Sequence, residues 1–272
     1  MSDSITYVYG VARDVAGLTE FMRSLKGVAN APVQLVVDPR TAGDLVLVTS
    51  HVPAHDFQED ALKRHLEDLD WLEEVARAHH GVIEALTTRT TVLPFRLATV
   101  YLDDARARDV LEGGRALFSE RLARLDEHVE WGVKIYVEAS TASAAPSPAA
   151  RDDLTPGRAY LRNRRQQQST RDSAYQAAQQ AAARVEAAGR KYATDWARHR
   201  VQQGALAGGA GENVVNDAYL VPRDRCQEFR DVATRSADGL WGVRVEVTGP
   251  WAPYSFATPP GESGSTAESV PQ

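Results

Sequence analysis

Ile5, Tyr7, Tyr9 and Val11 alternate with Thr6, Val8 and Gly10, and this period of two predicts a strand. Residues 15–25 read as a short helix ended by Gly27. Residues 33–37 and 45–49 read as two strands separated by the turn-rich Asp38, Pro39 and Gly43. The second is apolar on both faces, which predicts an interior strand. A long helix is then expected over residues 58–86. There Leu62, Leu66, Leu69, Leu72, Ala76, His79, Ile83 and Leu86 recur at gaps of three or four, with Gly81 a possible break near the end. This first unit reads β-α-β-β-α.

A second unit is expected to begin near Thr91. Residues 91–96 suggest a strand, and Pro94 places it at an edge or bulge. Asp103 and Asp104 are good starters for a helix reaching Leu125. Residues 131–138 form a strand with Val133, Ile135 and Val137 on one face. The run Trp241-Gly-Val-Arg-Val-Glu-Val repeats Trp131-Gly-Val-Lys-Ile-Tyr-Val in register, so Trp131 and Trp241 are expected at the starts of two strands of one sheet. A strand over residues 214–221 and a helix from Arg223 or Asp224 precede the repeat. Two β-α-β units of this kind make a split β-α-β, or ferredoxin-like, sheet. Between them, residues 139–157 are a linker rich in Ala, Ser and Pro, and residues 158–203 are helical by propensity. That helix carries a weak stripe of Tyr175, Ala178, Ala182, Val185, Tyr192 and Trp196, and the glycines over 204–211 form a hinge. The domain reading is therefore 1–90, an N-terminal α+β domain; 91–248, a ferredoxin-like domain with a long helical excursion at about 156–205; and 249–272, an extended tail ending in disorder. Trp251, Tyr254 and Phe256 are expected to dock that tail in the groove between the N-terminal unit and the ferredoxin-like sheet, because three aromatics between prolines cannot bury themselves.

Composition narrows the function. The chain has 272 residues, 43% apolar, enough for a sizeable core. A single cysteine, Cys226, allows no disulfide within the chain and favours a reducing compartment. The longest apolar run, residues 45–48, is far too short to span a bilayer. Net charge is −6, yet residues 151–205 carry 11 Lys/Arg against 5 Asp/Glu, leaving −12 on the remainder. The basic run Arg158, Arg162, Arg164, Arg165 and Arg171 could bind nucleic acid or an acidic partner, or be a solvated helix face.

Candidate chemistry is sparse. His51 and His55 flank Pro53 and lack the helical spacing of a metal pair. His80 and Glu84 could share a helix face, but no third ligand is evident, and His79 on the apolar stripe reads as a packed, hydrogen-bonded histidine. Asp68, Asp70, Glu73 and Glu74 around Trp71 read as a solvated face rather than an acid–base pair. Cys226 lies early in a helix beside Arg225, yet no histidine neighbours it in the sequence. The glycines of 204–211 follow a helix and precede a strand, the reverse of a phosphate loop. No catalytic, cofactor or metal residue is assigned.

Several motifs together resemble the gas vesicle protein F/L family. They are Tyr7-Val-Tyr-Gly-Val, Asp70-Trp-Leu-Glu-Glu-Val-Ala-Arg-Ala-His-His-Gly-Val-Ile-Glu-Ala-Leu, Thr91-Val-Leu-Pro-Phe-Arg, Trp131-Gly-Val-Lys, Ala218-Tyr-Leu-Val, Trp241-Gly-Val-Arg and Gly249-Pro-Trp-Ala-Pro-Tyr-Ser-Phe. The resemblance covers about residues 5–256. It implies two α+β domains, the second a modified ferredoxin fold, with a tail packing back on the body. It also implies a cytoplasmic, shell-associated minor component that is not an enzyme and takes no cofactor. Its implied partners are the small hydrophobic major shell protein and other gas vesicle accessory proteins, with a role in preventing aggregation and helping nucleation. No membrane partner is implied, and nucleic acid is the alternative that the acidic balance disfavours.

Overall fold

The structure is a computed structural model that describes residues 3–37, 44–65, 67–138, 156–201 and 211–257. The linker expected over 139–157 lies almost wholly outside these residues, as do most of the glycine hinge, Leu66 and the last fifteen residues. Helices and antiparallel sheets form an α+β protein with two compact units, residues 1–129 with 251–272, and residues 130–250.

The first unit is built on β1 (Ser4–Arg13), which pairs antiparallel with β3 (Leu45–Pro53), from Ser4↔Pro53 to Arg13↔Leu45. The sheet order is β2 (Gln34–Val37), β3, β1, β4 (Val92–Pro94), and β5 (Val100–Tyr101) also pairs with β1. β3 is thus interior, as its two apolar faces require. Alternation usually means one covered face, yet every residue from Ile5 to Ala12 is buried. Helices lie on both sides: Tyr7 and Tyr9 meet His79 of α4 (Leu69–Thr87), and Thr6 donates to Asp104 of α5 (Asp104–Leu125) at 2.7 Å. A side chain at Gly10 would run into the Leu93 carbonyl, so glycine lets β4 close on β1.

Three expectations change here. The single helix over 58–86 is broken. After α1 (Leu18–Arg23) and the turn α2 (Ala54–Phe57), α3 (Glu59–His65) stops and α4 restarts at Leu69. Asp68 causes the restart, because its carboxylate accepts the N–H groups of Asp70 and Trp71, an N-cap in mid-pattern. Leu69 is consequently 74% exposed, the buried stripe begins at Val75, and the helix continues through Gly81. The strand after Thr91 pairs with β1, and α5, capped by Asp103, buries Leu111, Phe118 and Leu122 against the same sheet. Both elements therefore belong with the first unit, and the division falls after Val129 rather than at 90/91.

The second unit is a sheet of order β7 (Asp195–Arg198), β8 (Glu212–Pro222), β6 (His128–Val137), β9 (Val243–Trp251), backed by α6 (Pro156–Tyr192) and α7 (Cys226–Thr234). α6 is the connection between β6 and β7, not an excursion from a finished sheet. It buries a face of Ala174, Ala177, Ala178, Ala181, Val185 and Ala188. Residues 160–169 of the helix are all exposed. It ends at Tyr192, where Thr194 N–H bonds to the Leu220 carbonyl, and Trp196, expected on the helical stripe, stands on β7 with its ring exposed. Glu138 N–H reaches the Gly242 carbonyl at 3.0 Å and Gly132 faces Thr248, so β6 and β9 run antiparallel with Val133, Ile135 and Val137 opposite Val247, Val245 and Val243. Trp131 is buried within β6, whereas Trp241 is 65% exposed in the turn before β9, so the two tryptophans are not equivalent.

Candidate functional site

The sequence placed its candidate residues in the last aromatic segment. After Trp251 the chain is not extended but makes one helical turn, α8 (Tyr254–Ala257), with Tyr254 N–H bonding back to the Ala252 carbonyl. Ala252 joins the first unit's core, Phe256 and Ala257 are buried, and Arg121 Nη1 holds the Ala257 carbonyl at 2.8 Å. Tyr254 is half-buried, its ring 6.3 Å from His79 and 6.2 Å from His80. Trp251 is 42% exposed and sets its edge against His80 at 5.5 Å. Two neighbouring histidines on one turn of α4 thus form the floor under the segment.

Beneath them is a buried polar relay. Tyr7 hydroxyl meets His79 Nδ1 at 2.9 Å and accepts the Ala98 N–H at 3.1 Å. Tyr9 hydroxyl donates to Ser50 at 3.0 Å and accepts the Val28 N–H at 2.8 Å, and Ser50 passes on to the Pro32 carbonyl. Burial pushes His79 down to about 4, with the charge of His80 adding to it. Nε2 makes no hydrogen bond of normal geometry, although the Phe95 carbonyl lies near enough to work weakly the other way. Burial likewise raises Tyr7 and Tyr9 above the ordinary tyrosine range. With its Nδ1 taken by Tyr7, His79 is a packed core histidine.

The remaining candidates are dispersed. His51 is exposed on β3 and pairs with Asp104 at 3.0 Å, while His55 sits beside Asp56. Asp68 is spent as a cap and Glu73 pairs with Arg77. Cys226 Sγ accepts from Trp131 Nε1 and reaches the Pro222 carbonyl, both at 3.4 Å. Arg164 and Arg165 are exposed on α6, and Arg171 reaches Glu212 and Tyr175. Among the described residues no three His, Cys, Asp or Glu groups gather as metal ligands, and no helix is long and apolar enough to cross a membrane.

One feature escaped the sequence reading: a cavity of about 360 Å³ between the C-terminal half of α6 and strands β7 and β8. Trp196, Tyr219 and Gly189 form its walls, and Arg198 covers the buried Asp217 at 3.3 Å. Glu186 and Arg190 at its rim pair with each other at 2.7 Å. The signal available was the run Asp195-Trp-Ala-Arg, whose alternation was masked by the alanine-rich helix before it.

Helices and antiparallel sheets packed around aromatic contacts define the class, an α+β protein. The chain belongs to the family described as gas vesicle synthesis protein GvpL/GvpF, whose model matches residues 5–258. It is 44% identical over 257 residues to gas vesicle protein L of Streptomyces sp. (strain CB03234), covering 94% of each chain. Gas vesicle protein F of Haloferax mediterranei is 25% identical, again over 94% of each. The fold is that of the crystal structure of gas vesicle protein GvpF from Microcystis aeruginosa, at a TM-score of 0.61, 18% identity, and coverage of 94% of this chain and all of that one. GvpF from Anabaena sp. PCC7120 gives 0.58 at 17% identity, over 97% of this chain and all of that one. This is a family of gas vesicle proteins rather than an enzyme family.

Proposed function

We propose that this chain is a minor, non-enzymatic gas vesicle component that associates with the major hydrophobic shell protein, limits its aggregation and helps nucleate the vesicle. The family match along residues 5–258 carries the reading. A growing shell exposes apolar surface and strand edges, and such intermediates aggregate. A helix-backed antiparallel sheet on an acidic chain is suited to cover them, acting in the cytoplasm and at the shell together with other gas vesicle proteins. In this reading the second unit is a ferredoxin-like split β-α-β sheet, supported by the order β7-β8-β6-β9 and its two helical connections. Trp251, Tyr254 and Phe256 act as docking residues that hold the terminal segment down.

The test is light scattering of purified shell protein diluted from denaturant. Substoichiometric amounts of this chain should slow the rise, and an unchanged rise would reject the proposal. The exposed arginines of α6 supply the alternative, nucleic-acid binding. A probe shift that weakens steeply with salt, beside an unaltered scattering curve, would favour that alternative.

A further inference from the structure

We propose that β9 is a dimerisation edge, pairing antiparallel with β9 of a second copy about a two-fold axis at Val245. The proposal goes beyond the shell-protein role and does not depend on it.

The two edges of the second sheet are treated differently. β7 is four residues long, begins and ends with charge, and its Trp196 N–H is already taken by the Asp195 carboxylate at 2.8 Å. Those are the devices that blunt an edge. β9 is longer, and residues 243–247 are only half-buried. Its pairing with β6 uses Gly242 opposite Glu138, so alternation turns the N–H and C=O groups of Val243, Val245 and Val247 outward. Among the described residues no strand pairs with that side.

The sequence there, Val-Arg-Val-Glu-Val over residues 243–247, complements itself when reversed. With Val245 on the axis, Val243 faces Val247 of the second copy in a hydrogen-bonded pair, and Val245 faces its own counterpart. Arg244 then faces Glu246 of the second copy in the closer, non-hydrogen-bonded position, and Glu246 faces Arg244. One contact is thereby made twice, as an isologous dimer demands. The valines share the face of Val133, Ile135 and Val137, so pairing extends that apolar face across the axis. Arg244 is held on the other face: it pairs with Glu246 of its own strand, stacks on Tyr136 at 4.2 Å and reaches Glu138 at 3.1 Å, so across the axis the two Arg244 and two Glu246 side chains extend that pair into one ring of alternating sign. Charge complementarity thus selects a second copy over an arbitrary strand.

Sedimentation velocity of the full chain over a micromolar concentration series tests this. A monomer–dimer equilibrium is expected. Glu246→Arg and Arg244→Glu should each weaken it at least about tenfold, since each puts like charges face to face twice. Mixing the two variants should restore association, because every facing pair is then opposite in sign. Val245→Pro should abolish the dimer with the melting temperature nearly kept, since the N–H it removes points away from β6. A monomer at every concentration, a dimer indifferent to Val245→Pro, species growing beyond two, or a mixture that stays monomeric would each overturn the proposal.

Discussion

The hydroxyl of Tyr7 meets Nδ1 of His79 at 2.9 Å, across 72 residues of sequence, with both side chains buried. The contact ties the central strand of the first sheet to α4, and burial holds the histidine in its neutral form. Protonation is disfavoured only in the folded state, where the histidine is lowered from 6.5 to about 4. As pH falls below 6.5 the unfolded chain takes up a proton that the folded chain refuses. Stability from this group is therefore complete above pH 6.5 and is lost between there and about 4, roughly 3 kcal/mol in all. His79→Gln keeps an acceptor for Tyr7 and cannot titrate, so its urea midpoint should fall less steeply over that interval than the wild type's. Parallel curves would show that another group sets the acid sensitivity.

Phe256 and Trp251 flank one turn but differ in burial. Phe256→Ala should cost about 3 kcal/mol, as buried phenylalanine truncations do. Trp251→Ala should cost less than half as much, because its outer face is already in water. Chemical denaturation of both variants reads the ranking directly, and equal losses would mean the segment is anchored at Trp251.

Asp68 restarts a helix. Asp68→Ala should destabilise the chain by about 1 kcal/mol, while Asp68→Asn, which retains the capping oxygen, should stay within about 0.5 kcal/mol of wild type. If both substitutions cost the same, the charge rather than the cap holds the break.

Ile135 and Val245 face each other on neighbouring strands, yet Ile135 is fully buried and Val245 is half-exposed. Ile135→Ala should cost about 3 kcal/mol and Val245→Ala under about 1 kcal/mol. Melts run below the concentration at which copies associate should give this ranking, and similar losses there would mean that Val245 is covered within the single chain.

Local signals were read correctly where local chemistry decides. The alternation of β1, the doubly apolar β3 and the acidic start of α5 all appear as expected. The break before α4 was hidden because leucine spacing runs straight across Asp68, and only the cap geometry separates two helices. β7 was missed because Trp196 falls four residues after Tyr192, where helical periodicity would place it. The repeated Trp-Gly-Val motif did predict two strands of one sheet. It misplaced the tryptophans because antiparallel partners read in opposite directions, so Trp131 lies across from Gly249 while Trp241 falls beyond the other end. The pairing of β4 with β1 joins residues about eighty positions apart, which no local pattern announces. The α6–β7 cavity depends on that same misread strand and was invisible for the same reason.

The return of the last described residues to the first unit sets an order of completion during synthesis. The ribosome makes the first sheet early, but Ala252 and Phe256 are still untranslated when the whole stretch 130–250 already exists. The second unit can therefore close while its predecessor stands with part of its apolar interior open. A released chain ending near residue 250 should be more protease-sensitive in the part translated first, and restoring Ala252 and Phe256 should protect it.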